Sequence, residues 1–414
     1  MHGDARTSAV FAGLDRVRSW QEGFYRDVHA HPELSHQEHR TASLVAARLR
    51  QWGYRVHEGV GGTGVVGVLA RGQGPTVLLR ADMDGLPVRE ETGLSYASTR
   101  TGEDGTPVMH ACGHDVHVSC LLGAAQLLSG ASGQWQGTVV VLFQPAEEAS
   151  DGAQAMVADG LGELVGRPEV VLGQHVLPMR AGRVGTNAGP TLAAAQSMRV
   201  VVHGRGAHGS MPQSAVDPVV LAALIVVRLQ TVVAREIAPD EPAVLTVGSV
   251  RAGTGSNSIP DRAEIALNIR AFSEQTRVQV VEAVERVVRA ECWASNAPRE
   301  PSFELFGRFP VTDNDASATR RVAEAFTGFF GEGAGALGRW SASEDFSHLA
   351  EAFGAPYTYW GLGGIDPQLW DRAEREGRVE QEVPVNHSAV FAPVVQPTLT
   401  TGTQALVVAA LAWL

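Results

Sequence analysis

From Met109 to His117 the chain reads Met-His-Ala-Cys-Gly-His-Asp-Val-His, with a thiol and three imidazoles around Gly113, directly before a long apolar segment. A helix start has no structural need for Cys112, His114, Asp115 and His117 together. A divalent cation does, because thiolate, neutral imidazole and carboxylate are the side chains that donate lone pairs to one. More donors of these kinds follow: Glu147-Glu148 after one β run, His175 after another, and Asn386-His387 near the end. The chemistry such a set supports is metal-assisted hydrolysis.

Neighbouring carboxylates point in divergent directions, so one of Glu147 and Glu148 can hold a metal while the other faces the substrate. The alternative, a solvated acidic loop, fits poorly behind a buried strand at Thr138 to Phe143. Asp82 and Asp84 stand just past another apolar strand, Thr76 to Ala81, where ligand and catalytic groups gather in α/β sheets. From this segment alone, a turn rich in Asp and Gly reads equally well. His29 and His31 sit before a helix break at Pro32, far from the other donors, and read as packing or hydrogen-bonding residues.

The elements that must carry these residues follow from periodicity. A helix is expected from Leu14 to Val28, and a second one up to Trp52, opened by a capping box of Ser35 and Glu38 and stopped by Gly53. Strands at 76–81, 138–143 and 169–173 and a helix at 117–128 make an α/β scaffold, with donors on successive strand ends; Cys120 is a core residue. Two glycine runs imitate dinucleotide fingerprints. Gly59 to Gly64 leads into a strand instead of a helix. Gly204 to Gly209 is cut off from its helix by Pro212, and that helix opens at Asp217-Pro218. From Gly189 the order is βαββαβ, a ferredoxin-like arrangement of an open sheet with two helices. The expected division is a discontinuous, mixed-sheet α/β catalytic domain at 1–188 and 310–414, interrupted by an α+β domain at 189–309.

Composition narrows the function classes. At 414 residues two domains are the default. A net charge of -12 argues against a partner held by phosphate contacts, so no nucleic acid is expected. Every basic residue is Arg, which excludes Schiff-base and Walker-A lysines. Three cysteines cannot build a disulfide framework and indicate a reducing compartment. The N-terminus lacks an apolar signal region, and apolar runs such as Val219 to Val227 are too short to span a bilayer. The expectation is a cytoplasmic protein without a membrane partner.

These residues resemble the M20 family of metallopeptidases, specifically its aminoacylase, hippurate-hydrolase and auxin-conjugate (IAA-amino acid) amidohydrolase branch. Within it the chain is most similar to actinobacterial aminoacylases. The stretches that carry the resemblance are His-Ala-His-Pro-Glu-Leu-Ser (29–35), Leu-Arg-Ala-Asp-Met-Asp-Gly-Leu-Pro (79–87), Met-His-Ala-Cys-Gly-His-Asp (109–115) and Gln-Pro-Ala-Glu-Glu (144–148). Gly-Gln-His (173–175), Asn-Ser-Ile-Pro (257–260), Ser-Glu-Asp-Phe (343–346) and Asn-His (386–387) complete them.

The resemblance implies a zinc-peptidase-like fold whose inserted domain is a lid and dimerisation domain. It implies two divalent metal ions, zinc or manganese, with Cys112 in the bridging position and His114, Glu148, His175 and His387 as the other ligands. Glu147 would be the general base. Asp82 and Asp84 would stand behind the ligands, and His208 would polarise the scissile carbonyl. Asn257 and Arg270 would lie near the substrate, Arg270 pairing with its carboxylate. The implied activity is hydrolysis of small-molecule N-acyl amino acids to a carboxylic acid and a free amino acid, by a homodimer; a dipeptidase or carboxypeptidase of the same fold is the alternative. Gln213, where many members have a second His, and the charged loop 371–382 depart from the pattern.

Overall fold

The strand Thr76–Asp82 is buried along almost its whole length and lies at the centre of an eight-stranded sheet. The structure is a computed structural model and describes residues 5–131 and 133–414; the first four residues, part of the N-terminal reading, lie outside the described residues. In spatial order the sheet runs Arg55–Val60, Gly64–Arg71, Gly137–Gln144, Thr76–Asp82, Val170–Arg180, Tyr357–Ile365, Val184–Thr186 and Ala334–Ala336. Thr76–Asp82 pairs in parallel with both its neighbours, and Val170–Arg180 with Tyr357–Ile365. Gly64–Arg71 is antiparallel to the strands beside it, so the sheet is mixed and the fold is α/β as expected. The parallel strands send residues 82–84 and 144–148 out at the same end of the sheet.

The first glycine run does what a turn does, and the second holds the short strand Ala207–His208. Gly59 to Gly64 joins the antiparallel pair Arg55–Val60 and Gly64–Arg71, with Gly61 at φ +67°. Against the sheet lies the helix His114–Gly130, buried on nearly every face, which marks a central core helix. The C-terminal helix Val395–Leu411 packs on it so closely that a Cβ at Gly402 would lie 2.6 Å from Cys120 Sγ. Cys120 is fully buried, as a core residue should be.

The chain divides into two compact units. One takes the chain up to Gly189 with Asp313–Gly338 and Asp345–Leu414; the other takes Pro190–Thr312 and Arg339–Glu344. In the second unit the strands Ala194–His203, Ala243–Ala252, Arg262–Ala271 and Ser302–Phe309 form an antiparallel sheet with helices Pro218–Glu236 and Glu274–Ala294. The third strand lies between the first and second, and the fourth pairs with the first, which is the ferredoxin-like order. Asp217 caps its helix by accepting from the Val219 and Val220 amides.

Several expectations need correction. No capping box opens the helix His39–Gln51. The Glu33 carboxylate accepts from the Arg40 and Thr41 amides instead, which frees Ser35 and Glu38 for other work. The strand at 169–173 runs on as Val170–Arg180, so His175 sits inside it, opposite Gly361. The apolar run Val219 to Val227 lies in a longer helix, Pro218–Glu236, which is long and apolar enough to cross a membrane by length and composition. One face of it, Leu221, Ile225, Leu229 and Val232, is buried with the apolar residues of its own sheet.

Candidate metal centre

Gly113 sets the geometry. Its φ of +84° suits a residue without a Cβ, and a Cβ there would come within 2.4 Å of Val176 Cγ1. That turn puts Cys112 before the helix and His114 at its first position. Asn386 closes the site from the far end of the chain: its Nδ2 donates to Cys112 O and Val176 O, and the next amide, that of His387, donates to Ala111 O.

The imidazoles are held by the nitrogen that faces away from the site. His114 Nδ1 bonds Asp84 Oδ1 (3.1 Å), which turns Nε2 toward the site; that atom is buried without a hydrogen-bond partner. His175 Nδ1 donates to Val176 O (2.8 Å), leaving Nε2 3.5 Å from Cys112 Sγ. An outer hydrogen bond that fixes the tautomer and aims the free nitrogen inward is how metal-binding histidines are supported. Glu148 Oε1 is buried too, and its near polar neighbours are other donors of this set: His387 Nε2 at 3.2 Å, an ion pair, and His114 Nε2 at 3.9 Å. A buried polar atom left unpartnered, as His114 Nε2 is, costs stability unless something binds it.

Donor atoms of Cys112, His114 and His175 lie within 4.8 Å of one another, and so do those of Cys112, Glu148 and His387. The two groups share Cys112. Glu147 is 5% exposed, and with His114 and Glu148 it forms a third such group. A mixed sulfur, nitrogen and oxygen set with a buried, unpartnered imidazole nitrogen facing it fits divalent cations, and the shared thiol fits a pair of them.

Electrostatics point the same way. Burial lowers the pKa of His114, but Asp82, Cys112 and Asp84 outweigh it and hold it well above the ordinary imidazole value. Hydrogen bonding from Cys112 and Glu148 pushes His387 up to about 10 against its burial. His175 goes the other way, held well below by burial and by His117. Negative charge thus collects where a cation would sit.

Of the opening motif, two residues face elsewhere. His117 Nδ1 donates to Asp82 Oδ1 (2.5 Å), while its Nε2 accepts from the Val176 amide, so neither nitrogen is available to a metal. Asp115 pairs with His29 Nδ1 (2.6 Å). Both belong to the frame: Asp82 also takes Arg80 (2.7 Å), and Asp84 also takes the Ser35 hydroxyl and the Glu148 amide. Burial raises the Asp82 carboxyl, yet Arg80, His114 and His117 hold it well below the usual range. His29 is fully buried between Asp115 and Glu90, a hydrogen-bonding residue as read from sequence.

Sequence reasoning passed over Arg80, which is 1% exposed and also donates to Gln144. The signal was available: a charge inside an otherwise apolar buried strand needs a partner.

His208, Asn257 and Arg270 lie in the second unit. His208 and Asn257 are neighbours on the ribbon that pairs Ala207–His208 with Ser258–Ile259, where the Gly209 amide donates to Asn257 O. Both are exposed, and His208 Nδ1 bonds the Ser210 hydroxyl (2.8 Å). Arg270 Nη1 donates to Ser341 O and Ser343 Oγ, at 2.6 and 3.1 Å.

Compared with known proteins, residues 78–376 match the pattern of peptidase family M20/M25/M40. A hippurate hydrolase from Campylobacter jejuni is 37% identical over 82% of this chain and 87% of its own. Thermostable carboxypeptidase 1 of Saccharolobus solfataricus is 36% identical over 91% of each chain. The crystal structure of Bacillus subtilis YXEP, described as a dinuclear metal-binding peptidase, superposes with a TM-score of 0.76 at 28% identity, covering 96% of this chain and 98% of that one.

Proposed function

This chain belongs to peptidase family M20/M25/M40, and from that premise we propose that Cys112, His114, Glu148, His175 and His387 hold two divalent ions beside Glu147, its general base. The enzyme is a hydrolase of amide bonds, a metal-dependent amidohydrolase of N-acyl amino acids. The single observation that supports the site assignment is the pair of clusters that meet at Cys112, with the buried, unpartnered Nε2 of His114 facing them.

When bound, the ions would polarise the amide carbonyl and lower the pKa of water at the site. The rest belongs to side chains. Glu147, enclosed but not needed as a ligand, takes the proton of the attacking water and gives it to the leaving nitrogen. Asp84 and the Val176 carbonyl hold the ligand imidazoles in the tautomers that leave Nε2 free. His208, from this chain or from a second copy, would donate to the carbonyl oxygen as it gains charge. Arg270 would pair with the carboxylate of the amino-acid half, and Asn257 would lie near the substrate. The ions would be zinc or manganese, and a thiolate favours zinc.

Hippurate is N-benzoylglycine, so the relatives' names favour an acylated amino acid, while the carboxypeptidase relative keeps a peptide substrate as the second reading. Turnover of N-benzoyl- and N-acetyl-amino acids against dipeptides, with zinc and with manganese supplied, separates them. Faster cleavage of N-acyl amino acids is expected; faster cleavage of dipeptides would reverse the reading.

The second unit would act as lid and dimerisation domain. Its helix Pro218–Glu236 exposes Val220, Leu224 and Val227, and the edge strand Ala243–Ala252 exposes Val244 and Val250. An apolar edge of this kind is a place for a second copy to pair. A mass in solution of twice the chain is expected. The three cysteines are free and buried, in keeping with a cytoplasmic home.

A further inference from the structure

Two backbone amides flank Glu147, and a carboxylate captures each. The Glu148 amide donates to Asp84 Oδ2 (3.0 Å), an oxygen that also takes the Ser35 hydroxyl at 2.7 Å. The Ala146 amide donates to Glu38 Oε1 at 2.8 Å. Glu38 is fully buried, and its remaining oxygen takes the Thr63 hydroxyl at 2.5 Å. Ala146 is also fully buried and has φ +51°, a left-handed conformation that an alanine holds only when its surroundings impose it. Within this loop Glu38 supplies the hydrogen bond to the strained residue's own amide.

Burying a carboxylate is costly, so a helix cap alone does not account for Glu38, which is fully buried. Capping is already done by Glu33. The stretch 29–38 instead grips the catalytic loops at successive points. His29 bonds Asp115, Leu34 bridges to Gly85, Ser35 bonds Asp84, and Glu38 bonds Ala146.

We propose that Glu38 is a positioning residue for Glu147: by holding Ala146 left-handed, it sets the direction in which the Glu147 carboxylate leaves the backbone. This rests on the reading of Glu147 as the general base. The hydrogen bonds of Glu38 go to Ala146, Thr63 and His36, none of them a proposed metal ligand, so its loss should reach the proton-transfer step and leave metal binding and substrate affinity in place.

The test combines kinetics with hydrogen exchange in the whole protein. Glu38→Ala should lower kcat by on the order of tenfold, the weight of one left-handed alanine released, with KM and metal content near those of the parent. Glu38→Gln keeps an acceptor for the Ala146 amide and should recover most of that loss. Glu38→Ala combined with Ala146→Gly should recover part of it, because glycine adopts positive φ without strain. The milder Thr63→Val, which frees the second Glu38 oxygen without unburdening the loop, should give a smaller fall in kcat and covers the case in which Glu38→Ala does not fold. Exchange of the Ala146 amide should speed up in Glu38→Ala and less in Glu38→Gln. That readout needs no substrate, so it decides the clamp even if the parent enzyme leaves every N-acyl amino acid untouched, a result that would instead count against the amidohydrolase reading. Unchanged exchange at Ala146 in Glu38→Ala would overturn the proposal, and so would a loss in kcat that Glu38→Gln fails to rescue or that follows a loss of metal.

Discussion

Exchanging one carboxylate for its amide at each of two adjacent positions separates their roles. Glu147→Gln keeps volume and shape at a site only 5% exposed, so folding should be little changed. Glutamine cannot accept and return a proton at neutral pH, and removing a general base commonly costs about two to four orders of magnitude in rate. At about 1.4 kcal/mol per tenfold, that is roughly 3 to 5.5 kcal/mol of transition-state stabilisation. Substrate affinity and metal content should stay close to the parent's, since the lost interaction belongs to the transition state. Glu148→Gln should behave differently. Its Oε1 is the atom between His387 Nε2 at 3.2 Å and His114 Nε2 at 3.9 Å. An amide there loses the charge that offsets a cation, and metal affinity should fall by at least the ten- to hundredfold seen for supporting groups. The assay is metal content of the purified variants beside kcat and KM on an N-acyl amino acid. Loss of metal in Glu147→Gln with retention in Glu148→Gln would show that the roles are reversed. Near-normal turnover by Glu147→Gln would refute the base assignment.

Gly113→Ala places a Cβ at φ +84° and 2.4 Å from Val176 Cγ1; a destabilisation of about 1–3 kcal/mol is expected, read as a lower melting temperature together with reduced metal content. The pKa of His29 is raised to about 10 because Asp115 and Glu90 outweigh its burial. A base raised above its unfolded value of about 6.5 gives stability that is fully present below that pH and is lost as pH climbs towards 10. Urea midpoints should therefore fall between pH 6.5 and 10, and His29→Gln, less stable at pH 6, should show a flatter slope over that window; parallel slopes would contradict the assignment.

How much of this was legible in the sequence varied with the physics of each residue. The buried parallel strands announced themselves as unbroken Val and Leu runs, and the glycine decoys failed on what followed them. Donor chemistry drew attention to Cys112, His114, Glu148, His175 and His387 because metals select few residue types. Which imidazole nitrogen is free is a matter of three-dimensional partners, so His117, indistinguishable from His114 by type and spacing, turned out to support Asp82. The Ser35–Glu38 capping signature was misleading for a related reason. Local pattern predicts a local partner, whereas both side chains reach residues 49 and 108 positions away, at Asp84 and Ala146. Arg80 was hidden by its apolar neighbours, since composition averages over a single buried charge.

Metal content measured on the purified chain, before and after chelation and beside its activity, is the most direct check on a binuclear amidohydrolase. About two equivalents of zinc or manganese per chain are expected on reconstitution, with N-acyl amino acid hydrolysis lost on chelation and restored by the ion. Cys112→Ala should lower both occupancies, because the thiol belongs to both donor groups. Undiminished hydrolysis by a chain stripped of metal, or full occupancy in Cys112→Ala, would contradict it.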